Sequence, residues 1–290
     1  MHQLSENGGD NFQKMSSVIG NPKGNFWLLS PDGSYDLTHP TSPTSPPIHP
    51  RLPLATTTAP ITIDPTKTAL VIIDMQNYFL SPLLGRSRSS LGLIAAEQLI
   101  TTAIPACRKA DIPVIWLNWG LTKDDLATMP PALLAAFGRK KDPPAGLGDD
   151  LGEVSLGNKI TFPAGRVLMR DSWNAELFQS LLQTVDDNMD VFVHKNRLSG
   201  FWGGTEMERE LDARGIRTLL FAGVNTDQCV GGSLQDAMAK GYDSLMLSDG
   251  CATTSPGFAR ECIEFNCERG WGFVLSCDAL REGVEEMLSE

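Results

Sequence analysis

The stretch RTLLFAGVNTDQCVGGSLQDAMAKGYDSLMLS, residues 217–248, decides the fold. It opens on a continuous apolar run, RTLLFAG (217–223), turns, passes through the helically spaced CVGGSLQDAMAKGY (229–242) and ends on a second apolar run, DSLMLS (243–248). Apolar runs without in-and-out alternation mark strands covered on both faces, and a helix joining two of them is the unit of a parallel sheet. Outward from this unit, TALVII (68–73), PVIWLN (113–118), DVFVHK (190–195) and WGFVLS (271–276) repeat the strand pattern. Between the strands, AAEQLITTAIPACRKADI (95–112), SWNAELFQSLLQTVDD (172–187), TEMERELDARGI (205–216) and PGFARECIEFNCERG (256–270) carry helical spacing. The alternation predicts an α/β fold, a three-layer αβα sandwich with a doubly wound, mainly parallel six-stranded sheet. Ligands of such sheets bind at the carboxyl ends of the strands, which tests every reactive side chain.

The composition changes near residue 62. The stretch THPTSPTSPPIHPRLPLATTTAP (38–60) is so rich in proline, serine and threonine that helix and central strand are closed to it. It is expected to run extended along a surface or stay mobile. Upstream, two short apolar runs flank the turn signature Pro31-Asp32-Gly33, predicting a hairpin at 25–37. The organisation read from this is an amino-terminal arm, 1–62, ahead of one domain, 63–290.

Subtracting 35 acidic from 24 basic side chains among 290 residues leaves a net charge of −11, a field that repels nucleic acid and anionic lipid. There is no apolar run of membrane-spanning length, and the first thirty residues lack the pattern of a secretion signal, so a soluble, cytoplasmic protein is expected. Its six cysteines form no CxxC pair and are expected as free thiols, and its four scattered histidines predict no metal site. The turn after TALVII is Asp74-Met75-Gln76-Asn77 rather than a glycine-rich phosphate loop, and neither GxxxxGK[ST] nor GxSxG occurs. No cofactor is expected.

Three reactive side chains pass the strand-end test: Asp74 closes VIID, Lys195 closes VFVHK, and Cys229 follows LLFAGVNTDQ. Each alone has a bland reading as a cap, a solvated ammonium or a small core residue. Together they form a nucleophile site, with Asp74 as general acid/base. The start of the helix and the Lys195 ammonium are expected to hold Cys229 as a thiolate. His194, next to Lys195, points to the other face of its strand, which makes a Cys–His pair a poor reading.

The segments TALVIIDMQNYF (68–79), HKNRLSGF (194–201) and GVNTDQCVGGSLQDAMAKGYD (223–243) resemble the isochorismatase-like cysteine hydrolases over roughly residues 63–280. The resemblance implies an Asp74–Lys195–Cys229 triad, a cis peptide before Asn225, and an oxyanion hole made by the amides of Asn225 and Cys229. Nicotinamidases of this family hold a metal through histidines after the second strand; LNWGLTKDDLATM (117–129) has none. Asn118 with Trp119, SWNAEL (172–177) and Lys195-x-Arg197-x-Ser199-Gly200-Phe201 look most like the ureidoacrylate and N-carbamoyl-cleaving branch. This implies hydrolysis of a C–N bond in a small amide or ureide through a thioester-like or thiocarbamoyl intermediate. The alternatives are vinyl-ether hydrolysis of the isochorismatase type and a thiol redox or binding protein on the same fold. Gln76, Tyr78, Asn118, Trp119, Trp173, Phe201 and Trp202 are the expected substrate contacts, Gln76 more as a brace for Asp74. The relatives imply a homo-oligomer, dimer or tetramer, with a small molecule as the other partner.

Overall fold

The computed structural model describes residues 17–137, 146–157 and 160–290. Five strands precede residue 64: β1 (Ser17–Gly20), β2 (Phe26–Leu29), β3 (Tyr35–Leu37), β4 (Leu52–Leu54) and β5 (Ile61–Ile63). The main sheet is built from β6 (Thr68–Ile73), β7 (Val114–Trp119), β10 (Val191–Lys195), β11 (Thr218–Val224), β12 (Asp243–Ala252) and β13 (Phe273–Leu275). A small antiparallel pair, β8 (Glu153–Leu156) and β9 (Ile160–Pro163), lies between β7 and β10 in the chain.

The main sheet runs β10-β7-β6-β11-β12-β13, and all its pairings are parallel. The chain starts in the middle at β6, winds out to β10, then returns to β11 and winds out the other way. The order therefore reverses between β6 and β11, the point where an open parallel sheet splays apart and forms a crevice. Asp74 follows β6 and Cys229 follows β11, so both residues stand at that crevice.

Alternate side chains supply the two cores. Leu70, Ile72, Val114, Trp116, Leu220 and Leu245 face a layer made by Leu91–Gln98, Ile104–Lys109 and Cys277–Ser289. Ala69, Val71, Ile73, Ile115, Leu117 and Phe221 face Met207–Ala213, Gly231–Ala239 and the helix Gly257–Asn266. This is the expected three-layer αβα sandwich. Gly223, at φ +120°, is required because a Cβ there would overlap the Ile73 main chain where β6 and β11 come together.

Two segments differ from expectation. The helical spacing of 172–187 yields only the turns Trp173–Ala175 and Gln179–Leu182. Phe178 N–H donates to Met75 O at 2.9 Å and Asn77 N–H to Glu176 O at 2.9 Å, so the chain pairs with the loop after β6 instead of coiling on itself. The proline-rich segment does not simply lie along a surface: Leu52 and Leu54 are buried in the core beside Cys277–Ser289. Pro53 is tolerated because β4 is the outermost strand, in the order β1-β2-β3-β5-β4. Between these strands and the main sheet, Asp243 accepts from Trp27 Nε1 at 2.7 Å and Thr218 Oγ1 at 3.1 Å, and lies 2.6 Å from His39 Nε2. Thr57 N–H donates to Val274 O, so the arm also covers the β13 edge, which would otherwise offer unpaired main-chain groups.

Candidate active site

Asp74 leaves β6 with φ 54°, a left-handed conformation that aspartate tolerates better than a branched residue. Its main chain is held by Leu117 O at 3.0 Å. Its carboxylate turns under the sheet end, where Oδ1 accepts from Trp119 N–H at 3.2 Å. Lys195 ends β10, two strands away, and lies across the Trp119 indole with Nζ 3.9 Å from the ring centroid. Nζ stands 3.0 Å from Asp74 Oδ2, 3.4 Å from Cys229 Sγ and 3.3 Å from Arg197 O. Cys229 belongs to the turn Thr226–Val230 between β11 and the helix Gly231–Ala239, and its thiol lies near enough to Asp74 to feel the carboxylate charge. The exposures of Asp74, Lys195 and Cys229 are 0 %, 0 % and 3 %, so each depends on the other two for compensation.

Burial pushes the Asp74 carboxyl up, against the lowering effect of the Lys195 cation. Burial, followed by the Asp74 charge, pushes the Cys229 thiol up to about 12, with Lys195 opposing. Burial thus works against the expected resting thiolate. One cation serves two acidic groups, and a second negative charge in the closed space costs more than helix start and ammonium return. What is raised is the loss of a proton to solvent; passage of the thiol proton to Asp74 leaves the net charge of the trio unchanged.

A cavity of about 750 Å³ reaches the nucleophile turn, where it is lined by Val224, Asn225 and Gln228. The Val224–Asn225 peptide is cis. Tyr78 lines the cavity beside Phe137, whose carbonyl accepts from the Tyr78 hydroxyl at 3.4 Å. The Phe137 ring in turn meets Trp119 at 5.4 Å between centroids. Among the expected contacts, then, Trp119 stands beside the trio and Tyr78 lines the cavity.

The others lie elsewhere. Gln76 spends its amide on main chain, donating to Trp119 O at 2.7 Å and Ala175 O at 2.5 Å and accepting from Trp119 N–H at 3.1 Å, so it is a brace. Asn118 pairs in register with His194 on the opposite face of the sheet. Trp173 packs on Phe162, and Phe201 is buried against Tyr242. Trp202 is 53 % exposed, under the Arg197 guanidinium. Arg86, Ser90, Phe137 and Gln228 line the cavity without having been singled out. Arg86 and Ser90 come from the serine-rich stretch SPLLGRSRSS (81–90), whose position directly after the first strand's loop was the available signal.

All six cysteines are free thiols, and among the described residues no three His, Cys, Asp or Glu side chains converge as a metal-ligand set. No helix among them is long and apolar enough to cross a membrane.

The parallel sheet thus gathers an acid, an ammonium and a thiol at its switch point. Residues 68–264 match the isochorismatase domain, and the chain belongs to that family of hydrolases. Among solved structures, it is similar to a cysteine hydrolase from Pseudomonas syringae pv. phaseolicola 1448A, with TM-score 0.58 and 21% identity over 83% of this chain and 100% of that one. It also resembles N-carbamoylsarcosine amidase from Thermoplasma acidophilum, with TM-score 0.53 and 22% identity over 73% and 97% of the two chains. A third is nicotinamidase PncA from Bacillus subtilis, with TM-score 0.52 and 18% identity over 72% and 99%. At these identities the likeness establishes the fold.

Proposed function

We propose that the protein is a cysteine-dependent hydrolase cleaving a C–N bond of a small amide or ureide. The observation that carries this reading is one buried ammonium within 3.0 Å of Asp74 Oδ2 and 3.4 Å of Cys229 Sγ, next to a turn whose Asn225 and Gln228 line a cavity. Asp74 takes the Cys229 proton as sulfur attacks the carbonyl carbon, and Lys195 balances whichever partner carries the negative charge. Passing the proton from thiol to carboxylate inside the trio avoids releasing it to solvent, so no net charge is added to the buried site. The amides of Asn225 and Cys229 receive the tetrahedral oxyanion, each such donor contributing about 3 kcal/mol in comparable sites.

The proton on Asp74 then passes to the departing nitrogen as the C–N bond breaks, leaving a thioester or thiocarbamate on Cys229. Water gives a proton to Asp74 and attacks that carbonyl; the C–S bond breaks and the proton returns to sulfur. Each half-reaction leaves the trio at its starting charge, as a site closed to counter-ions requires.

The test is ammonia release from a panel of carbamoyl amino acids, ureidoacrylate, biuret and nicotinamide, with isochorismate as the vinyl-ether control. On the best substrate Cys229→Ala is expected to lose at least about 10³-fold in kcat. Retention of wild-type turnover by Cys229→Ala excludes the covalent route.

A further inference from the structure

The end of the cavity formed by Arg86, Ser87, Ser89 and Ser90 has a polar lining that the proposed steps leave unused. Among the described residues, Arg86 is the only charged side chain of its wall, and no aspartate or glutamate lines it. Arg86 Nε and Nη2 both donate to Tyr78 O, at 3.1 and 2.9 Å, which fixes the guanidinium beside the Tyr78 ring. Nη1 has no acceptor among the described residues. Ser90 Oγ is buried and has no hydrogen-bond partner there either. Ser90 precedes the helix Leu91–Gln98, which has no side-chain cap. Its first turn reaches the nucleophile side, since a Cβ on Gly92 would lie 3.7 Å from Val224 Cγ1.

A cation held in place, a buried unpartnered hydroxyl and no acidic neighbour together recognise an anion. The protein's net charge of −11 gives an anion no general reason to approach, so recognition has to be local. One guanidinium balances one negative charge, which suits a carboxylate and leaves a phosphate dianion half compensated.

We infer that this end of the cavity holds a carboxylate, and that the substrate is an acid bearing a separate amide or ureide group. Arg86 and Ser90 grip the carboxylate while the carbonyl sits at Asn225 and Cys229. The inference rests on the function proposed above, and its test avoids turnover so that the two can fail separately.

The test measures binding to full-length Cys229→Ala protein by calorimetry, using the pairs 3-ureidopropionate with 3-ureidopropanamide and succinamate with succinamide. In at least one pair the acid is expected to bind about tenfold or more tighter than its amide twin. Adding Arg86→Gln should reduce that ratio by about tenfold or more, and adding Arg86→Lys, which keeps the charge but not the fork held on Tyr78 O, should restore part of it. If Arg86→Gln does not fold, Ser90→Ala decides, with an expected loss of about threefold in the ratio. Equal affinity for acid and amide in both pairs, no binding of any of the four, or a preference that survives both Arg86→Gln and Ser90→Ala overturns the inference. Wild-type turnover that does not need Cys229 instead overturns the covalent mechanism and leaves the binding result standing.

Discussion

Trp119 and Lys195 face Asn118 and His194 across the thickness of one sheet. The four residues form two register pairs at the ends of β7 and β10, one step apart along each strand. On the first face Lys195 and Trp119 are wholly buried and the ammonium is matched by Asp74 at 3.0 Å. On the second, Asn118 and His194 border a depression of about 470 Å³ with Phe192, 44 % exposed, on its rim. His194 there is kept below its ordinary pKa by burial and then by the Arg170 cation. A single residue of strand register thus separates a closed site, where every charge needs a contact partner, from a face where His194 is open to water.

The strongest way to break this comparison is to remove the partner. Lys195→Ala leaves the Asp74 carboxylate buried and unpaired, and is expected to destabilise the protein by about 3 to 5 kcal/mol at pH 8. The sign with pH follows from the raised carboxyl. Without the cation that lowers it, Asp74 titrates higher still, so acidification neutralises the orphan charge and the penalty shrinks from pH 8 toward pH 5. His194→Ala at pH 8, where the imidazole is neutral whether folded or unfolded, is expected to change stability by less than about 1 kcal/mol. Urea melts of both variants at the two pH values check this; equal effects would mean that the faces do not differ in the way described.

Asp243 sharpens the contrast, being a buried aspartate that serves docking. Its partners, Trp27, His39 and Thr218, join the amino-terminal strands to the main sheet, and none of them lines the cavity. Asp243→Ala strands these donors and is expected to cost about 2 kcal/mol. It should also open 38–60 to limited proteolysis, while turnover per folded molecule persists. Loss of turnover at unchanged stability would instead tie the arm to the chemistry.

The strands were legible because a sheet covered on both faces needs unbroken apolar runs, and β6, β7, β10, β11 and β13 lie within two residues of their expected bounds. β12 continues four residues further, to Ala252, through a register irregularity opposite Phe221 and Gly223 that no apolar pattern records. The 172–187 segment was misread because its pairing partner, Met75 to Asn77, lies a hundred residues away. Asp74, Lys195 and Cys229 were legible because each stands directly at or after a strand end. The upward push on the thiol was not, since it follows from burial and from sharing one cation. Arg86 and Ser90 belong to a loop without periodicity, and only the packing of Gly92 beside Val224 brings that loop to the site.

The smallest effect is the finest test of the faces, because it separates adjacent residues. Trp119 supports the Lys195 ammonium through its ring, while its main-chain N–H holds Asp74 and Gln76 whatever the side chain. Trp119→Leu removes the cation–π contact, about 1 to 2 kcal/mol when desolvated, along with the packing on Phe137, and should lower kcat by about tenfold in the fraction that stays folded. Asn118→Ala removes an amide whose Oδ1 has no partner among the described residues and which points away from the trio. Its kcat is expected to stay within about threefold of wild type, since a group on the far face stabilises no charge that develops at sulfur. If Asn118→Ala proved the more damaging, its amide would have to reach the substrate. The end of β7 would then be twisted by a residue relative to Lys195, and the cavity would extend through the sheet edge to include His194.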